Sequence, residues 1–382
     1  MATCLLSPEA REKVMQKNSK KILVVFGTRP EAVKVAPVIR RLQENDRFNT
    51  ILCTTGQHRA ILDQMLRVFG IKPDIDLRLM EENQTLAGLT AKAVQAVTEV
   101  LHRYRPDLCL VQGDTTTAMV AGLACFYNQT AVGHIEAGLR SHERYNPFPE
   151  EINRRMLSVL SSFHFAPTEG AVRNLLAEGI PGEHVFLTGN TVIDALMMAA
   201  SRDLPFPSDL HLKHERFILV TAHRRENWGR PIRDICTALR RIAERNAIDI
   251  VYPVHPNPNI KEPVFEALAG IETVHLVSPL EYLDFVSLMK SCTLLLTDSG
   301  GVQEEGPSLG KPVLVMRETT ERPEAVAAGC ARLVGTSPDN VVNEVERLLG
   351  NKEEYDRMAT IANPFGDGHA AERIVGVLAN NL

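Results

Sequence analysis

Short, unbroken apolar runs alternate with longer stretches of helical periodicity through most of the chain, and this alternation restricts the fold more than any other feature. Ile22-Leu23-Val24-Val25-Phe26 is apolar throughout and rich in branched residues, as a strand buried on both faces must be. From Glu31 to Gln43, Val33, Ala36, Ile39 and Leu42 recur at helical spacing. Further strands are predicted at 50–54, 108–112, 131–135, 163–166 and 185–187, with helical stretches between most of them. Such a succession predicts a mainly parallel sheet with helices on both faces.

The series breaks at Ser201–Ser208, where Pro205, Pro207 and polar residues take over, and a domain boundary is expected there. A second series follows, with strands predicted at 217–221, 250–253, 273–277, 293–297, 313–316 and 332–334. At 382 residues the chain is too long for one ordinary core. The expected organisation is an N-terminal extension over 1–20, one α/β domain over 21–200 and a second over 201–365. A last helix within 366–382 is expected to pack back on the first domain. Open parallel sheets bind ligands beyond the carboxyl ends of their strands, so two such domains facing each other would make a deep cleft lined by those loops.

Charge and cysteine usage narrow the partners. A formal net charge of -5 argues against nucleic acid and anionic membranes, though a few local cations suffice for one phosphorylated ligand. The chain holds no run of about 18 apolar residues, so no membrane-spanning helix is expected. Met1–Lys20 lacks the apolar core and cleavage pattern of a signal peptide, and a cytoplasmic location is expected. The seven cysteines include no Cys-x-x-Cys pair, and Cys109 lies inside an apolar run, so neither a disulfide framework nor a metal site is expected.

Six loops carry candidate chemistry. In Gly27-Thr28-Arg29-Pro30-Glu31, Gly27 permits a tight turn and Pro30 suits the start of a helix. Arg29 and the helix N-terminus suit a diphosphate, with Lys34 one turn further on; a plain turn with a solvated arginine fits equally well. No Gly-x-Gly-x-x-Gly follows this strand, so the dinucleotide fingerprint is missing. Asp114, after the strand 108–112, reads either as a helix N-cap or as a loop carboxylate. Glu136 also stands at a strand end. Glu150, beside Glu151, follows Pro149 at the opening of a helix, where dipole compensation explains both acids equally well. Three carboxylates at loop sites suit removal and return of a proton at carbon.

In the second series, His223 stands at a strand end and suits a leaving phosphate, a satisfied histidine being the plain alternative. His255 lies in a loop stiffened by Pro253, Pro256 and Pro258. Thr297–Glu305 is the most specific loop. Gly300 and Gly301 let backbone approach a phosphate, Ser299 adds a hydroxyl, and Glu305 suits ribose hydroxyls. It is no Walker loop, since Gly310-Lys311 precedes Pro312, and Gly-x-Ser-x-Gly is absent. Arg317 and Arg322 add positive charge.

Eight blocks stand in one order: Phe-Gly-Thr-Arg-Pro-Glu (26–31), Gly-Asp-Thr-Thr-Thr (113–117), Glu-Ala-Gly-Leu-Arg (136–140), Pro-Glu-Glu (149–151), Gly-Asn-Thr-Val-Ile-Asp (189–194), His-Arg-Arg-Glu (223–226), Thr-Asp-Ser-Gly-Gly-Val-Gln-Glu-Glu (297–305) and Thr-Thr-Glu-Arg-Pro-Glu-Ala (319–325). Together they strongly resemble the non-hydrolysing UDP-N-acetylglucosamine 2-epimerases, from about Lys21 to the C-terminus. The resemblance implies the GT-B fold: α/β, with two Rossmann-like domains facing a central cleft. It implies interconversion of UDP-N-acetylglucosamine and UDP-N-acetylmannosamine by elimination and re-addition of UDP, in a homodimer, with no cofactor and no metal. It implies catalytic roles for Asp114, Glu136, Glu150 and His223, and UDP contacts from Arg29, His255, Ser299, Gly300, Gly301, Glu305 and Arg322. Bacterial members are often activated by their own substrate at a neighbouring site, which Gln57, His58 and Gln84 match. The alternatives are a hydrolysing relative that releases N-acetylmannosamine and UDP, a GT-B glycosyltransferase, and a UDP-sugar sensor without turnover.

Overall fold

Each apolar run read as a strand is one in the computed structural model, which describes residues 19–56, 59–80 and 84–382. In the first unit the strands are β1 (Lys20–Phe26), β2 (Phe48–Thr54), β3 (Ile75–Asp76), β4 (Leu108–Gln112), β5 (Ala131–Ile135), β6 (Phe163–Ala166) and β7 (Val185–Leu187). They pair in parallel in the order β3-β2-β1-β4-β5-β6-β7. Only β3 went unpredicted, because two residues carry no periodicity. The second unit holds β8 (Phe217–Thr221), β9 (Asp249–Pro253), β10 (Val274–Val277), β11 (Leu294–Thr297), β12 (Val313–Val315) and β13 (Ala331–Leu333). Their order is β10-β9-β8-β11-β12-β13, again all parallel. The units are Leu196–Asp367 and the remainder, which regains Gly368–Leu382.

Strand order reverses between β1 and β4 in one sheet, and between β8 and β11 in the other. At such a switch point the two flanking loops diverge to opposite faces and leave a crevice at the carboxyl ends of the strands. The helix Thr116–Tyr127 is apolar on nearly every face and largely buried, which draws the loop before it inward. In the second unit the helix Arg230–Arg245 sets Ile232, Ile235, Leu239 and Ile242 against Ile218, Val220 and Ile250. The fully buried Tyr252 donates its hydroxyl to the Ala222 carbonyl at 2.9 Å, which ties β9 to the loop after β8.

The C-terminal helix Ala370–Asn381 packs against the helix Arg29–Gln43. Its Ala370 and Ala371 N–H groups donate to Asp194 at 3.2 and 2.8 Å, so the acid of the 189–194 block satisfies a helix start 176 residues away. Cys53, Cys109, Cys125, Cys236, Cys292 and Cys330 are free and buried, and burial pushes the Cys53, Cys236 and Cys292 thiols up to about 12. Among the described residues no helix is long and apolar enough to cross a membrane. No group of three or more His, Cys, Asp or Glu among them is placed to hold a metal ion.

Candidate active site

Glu31 joins the two loops at the first switch point. Thr28 caps the helix Arg29–Gln43, its Oγ1 accepting the Glu31 N–H at 3.4 Å, while Glu31 Oε2 accepts the Gly27 and Thr28 N–H groups at 3.0 and 2.7 Å. This reciprocal box makes Arg29 the first helical residue and Pro30 the second, one position later than the sequence suggests. Glu31 Oε1 accepts the Thr115 hydroxyl at 2.6 Å, which binds the loop after β1 to the loop after β4. Burial raises the Glu31 carboxyl above its usual range, against the pull of these donors. Gly27 closes the turn where no side chain fits: a Cβ there would lie 2.1 Å from Thr55 Oγ1 and 2.7 Å from Thr117 Oγ1.

Glu136 follows β5 with a φ of 67°, a left-handed conformation that non-glycine residues seldom adopt. Strain of this kind persists where surrounding contacts hold a side chain at a set place. Here the contacts are with the carboxylate itself. Lys34 Nζ donates to Oε1 at 2.6 Å and Oε2 at 2.7 Å, Asn190 Nδ2 donates to Oε1 at 3.4 Å, and Gln112 Nε2 donates to Oε2. The carboxylate is 8% exposed, so the ammonium compensates a buried charge that would otherwise be costly. Lys34 is therefore committed to Glu136 and does not point to open solvent. Beneath this pair, buried His134 donates Nε2–H to the Gly113 carbonyl at 2.7 Å, and desolvation holds the imidazole near 3, hence neutral. That bond fixes the turn before Asp114 against the strand that ends at Glu136.

Asp114 is not the N-cap of the helix after β4. Thr115 is, its Oγ1 accepting the Ala118 N–H at 3.1 Å; Asp114 stands one residue too early. Its Oδ2 instead accepts Arg154 Nε at 2.7 Å, and its carbonyl accepts Asn153 Nδ2 at 2.8 Å. Both partners lie on the helix Glu150–Leu160, so this bond draws Glu150's helix to the Asp114 loop. The two acids at that helix start then part company. Glu151 is buried and accepts from the Ser141 N–H at 2.9 Å and from Arg154 at 3.0 Å; burial pushes its carboxyl up, but these donors outweigh it and bring it below the usual range. Glu150 is half-buried at the start of the helix, and among the described residues its side chain has no hydrogen-bond partner.

At the second switch point the linking carboxylate is Asp298. Its Oδ2 accepts the His223 and Arg224 N–H groups, both at 2.8 Å, and Asn227 Nδ2 at 2.9 Å. The sequence analysis assigns Asp298 no role of its own, although it too stands at the end of a buried strand, beside Ser299. His223 stacks on His255, with centroids 5.9 Å apart and planes at 17°. Burial, His255 and Arg224 lower the His223 imidazole, and Asp298 pulls it back up. Ser299 caps the short helix Gly300–Glu305 without using its hydroxyl, which stays available. The site of a Cβ on Gly300 lies 3.4 Å from Arg224 Nη2 and 3.9 Å from Arg322 Cζ, so two guanidinium groups converge on this glycine. Glu304, buried, pairs with Arg322, while Glu305 is buried at the end of the helix.

A second ion network holds these cations. Arg317, nearly buried, pairs with Glu226 and donates to Glu321 at 2.7 Å, and Arg224 lies 3.8 Å from Glu321. The Arg317 guanidinium holds the Glu321 carboxyl down at about 2. Because the folded value lies below the unfolded one, this contribution is complete above about 4.5 and disappears as pH falls toward 2. The urea midpoint, followed by the fluorescence of the single Trp228, is expected to fall across that window. In Glu321→Gln the fall is expected to be shallower. Equal slopes in both proteins would remove the network from the acid response.

Arg29 is exposed. Gln84 precedes the helix Leu86–Tyr104 and is half-buried; Gln57 and His58 lie outside the described residues.

Residues 40–379 match the family model described as UDP-N-acetylglucosamine 2-epimerase. The chain is 50% identical over 374 residues to the UDP-N-acetylglucosamine 2-epimerase of Escherichia coli K12, covering 94% of this chain and 99% of that one. A crystal structure of UDP-GlcNAc 2-epimerase from Neisseria meningitidis bound to UDP-GlcNAc superposes with a TM-score of 0.83 at 48% identity, over 94% of this chain and 100% of that one. A glycosyltransferase of kitacinnamycin superposes with a TM-score of 0.65 at 13% identity, over 95% and 99% of the two chains, a likeness of fold alone.

Proposed function

Since the chain belongs to the UDP-N-acetylglucosamine 2-epimerase family and has the GT-B class of α/β fold, we propose that it inverts C2 of UDP-N-acetylglucosamine reversibly and without net hydrolysis. The observation that carries this reading is the buried Glu136 carboxylate with its charge compensated by Lys34. A C2 proton is weakly acidic, and its removal needs a placed base in a site of low polarity. Elimination breaks the C2–H and C1–O bonds, forms the C1–C2 double bond of a glycal, and releases UDP with the bonding electron pair. A proton returned to the opposite face of C2, with attack of UDP at C1, completes the inversion.

Glu136 is assigned the abstraction, and Asp114 and Glu150 the return of the proton. The departing diphosphate needs charge neutralisation, which His223 and Arg322 supply. Arg29, His255, Ser299, Gly300 and Gly301 are assigned to the nucleotide, and Glu305 to its ribose. Incubation with UDP-N-acetylglucosamine in heavy water is expected to place deuterium at C2 and to yield two nucleotide sugars. Free N-acetylmannosamine released in step with UDP would establish the hydrolysing reaction instead. Sugar without deuterium at C2 would sink both.

A homodimer is part of the same reading. Phe126, Tyr127, Met156 and Val159 are exposed apolar side chains on the packed helices Thr116–Tyr127 and Glu150–Leu160. Sedimentation equilibrium at micromolar concentration is expected to return twice the 42.3 kDa chain mass; a single chain mass rejects the dimer.

A further inference from the structure

At each switch point a buried carboxylate joins the two flanking loops, and in the second unit that carboxylate leaves one oxygen unused. Asp298 is wholly buried. Its Oδ2 takes three donors, from the loop after β8, while its Oδ1 accepts no hydrogen bond. Oδ1 faces His223 Nδ1 at 3.5 Å. A buried carboxylate oxygen without a donor is a costly arrangement. The imidazole relieves it in one tautomer only. With the proton on Nδ1, an N–H stands 3.5 Å from the oxygen, an attractive contact longer than a hydrogen bond; with the proton on Nε2, a ring lone pair stands there instead. The stacked partner has the opposite form, because His255 Nδ1 accepts the Asn257 N–H at 3.2 Å and so carries its proton on Nε2.

We propose that Asp298 is the positioning residue that sets the tautomer of His223, with Nδ1–H turned to Oδ1 and Nε2 left open toward the substrate. The role at Nε2 rests on the proposed function; the tautomer does not. In this form a second proton enters at Nε2, and the imidazolium then has Asp298 on one side and the leaving diphosphate on the other. Among the described residues, three charged or titratable groups act on the ring. Asp298 favours the imidazolium, and His255 and Arg224 oppose it. A carboxylate behind an imidazole orients the ring and stabilises its charged form.

The test is nitrogen NMR of the full chain labelled at histidine, with His223 identified by the signal lost in His223→Gln. The wild type is expected to show Nδ1 protonated and Nε2 bare at a pH where the ring is neutral. In Asp298→Asn the side-chain carbonyl takes over the three donors, and its NH2 then donates to Nδ1. The tautomer is expected to reverse and turnover to fall by up to about 10⁴-fold. UDP affinity is expected to change little, and the alkaline limb of the pH profile to move to lower pH. A wild-type ring protonated on Nε2 overturns the proposal, as does an Asp298→Asn variant whose tautomer and pH profile do not move. Should that variant not fold, the wild-type spectrum alone decides. Should the wild type show the stated tautomer yet exchange no C2 proton, the proposed function fails and the positioning by Asp298 stands.

Discussion

Glu136→Gln is expected to bind UDP as the wild type does and to epimerise on the order of 10²–10⁴-fold more slowly, the range by which a placed base accelerates proton transfer. The amide cannot take the C2 proton. It also sets an NH2 among donors, since Lys34, Gln112 and Asn190 all donate to the native carboxylate. Apart from Arg29, the residues assigned to UDP lie in the other unit, and none of them is among these donors to Glu136, so calorimetric titration with UDP is expected to be unchanged while C2 deuterium exchange almost stops. Turnover within a few-fold of wild type would remove Glu136 from the chemistry.

Gly138→Ala is expected to destabilise the first unit by roughly 2–5 kcal/mol. A left-handed L-residue costs about 1–2 kcal/mol, and overpacking adds about 1–3 kcal/mol. Gly138 has a φ of 88°, and a Cβ there would lie 2.4 Å from the Ala171 carbonyl oxygen and 2.9 Å from Leu175 Cγ. The first obstacle is helix backbone, which cannot rotate aside. At about 2–4 °C per kcal/mol for a unit of this size, the melting temperature is expected to drop by roughly 10 °C. Calorimetry would read it, and a drop below about 2 °C would mean that the helix Glu169–Ala177 gives way easily. Asn174 Nδ2 donates to the Gly138 carbonyl at 3.0 Å, so Glu136, two residues upstream, is expected to lose its placement too.

The placement of the candidate residues at strand ends is legible in the sequence. Gly27, Asp114, Glu136, His223 and Ser299 were singled out because each follows a buried apolar run, and each does stand at the carboxyl end of a parallel strand. Local readings leave alternatives open where neighbours compete for one duty. Asp114 and Thr115 both make good caps, and Thr115 is the one whose side chain accepts the Ala118 N–H from an extended backbone. Glu150 and Glu151 both suit a helix start, and only Glu151 meets the Ser141 N–H and Arg154. Asp298 went unassigned because its partners lie more than 70 residues away.

The sequence by itself determined the alternation of strand and helix, the position of the candidate loops at strand ends, and, through the order of eight short blocks, the family. Periodicity and turn chemistry are local properties, and they survive reading one residue at a time. Tertiary structure decided which charges meet. Lys34 reaches Glu136 across 102 residues and Thr115 reaches Glu31 across 84, because strand order sets β1, β4 and β5 side by side and brings the segments after them together. An ion pair depends on distance through space and on burial. Neither is written in residue spacing, so the committed lysine, the uncommitted Glu150 and the unshared oxygen of Asp298 became visible only in the folded chain.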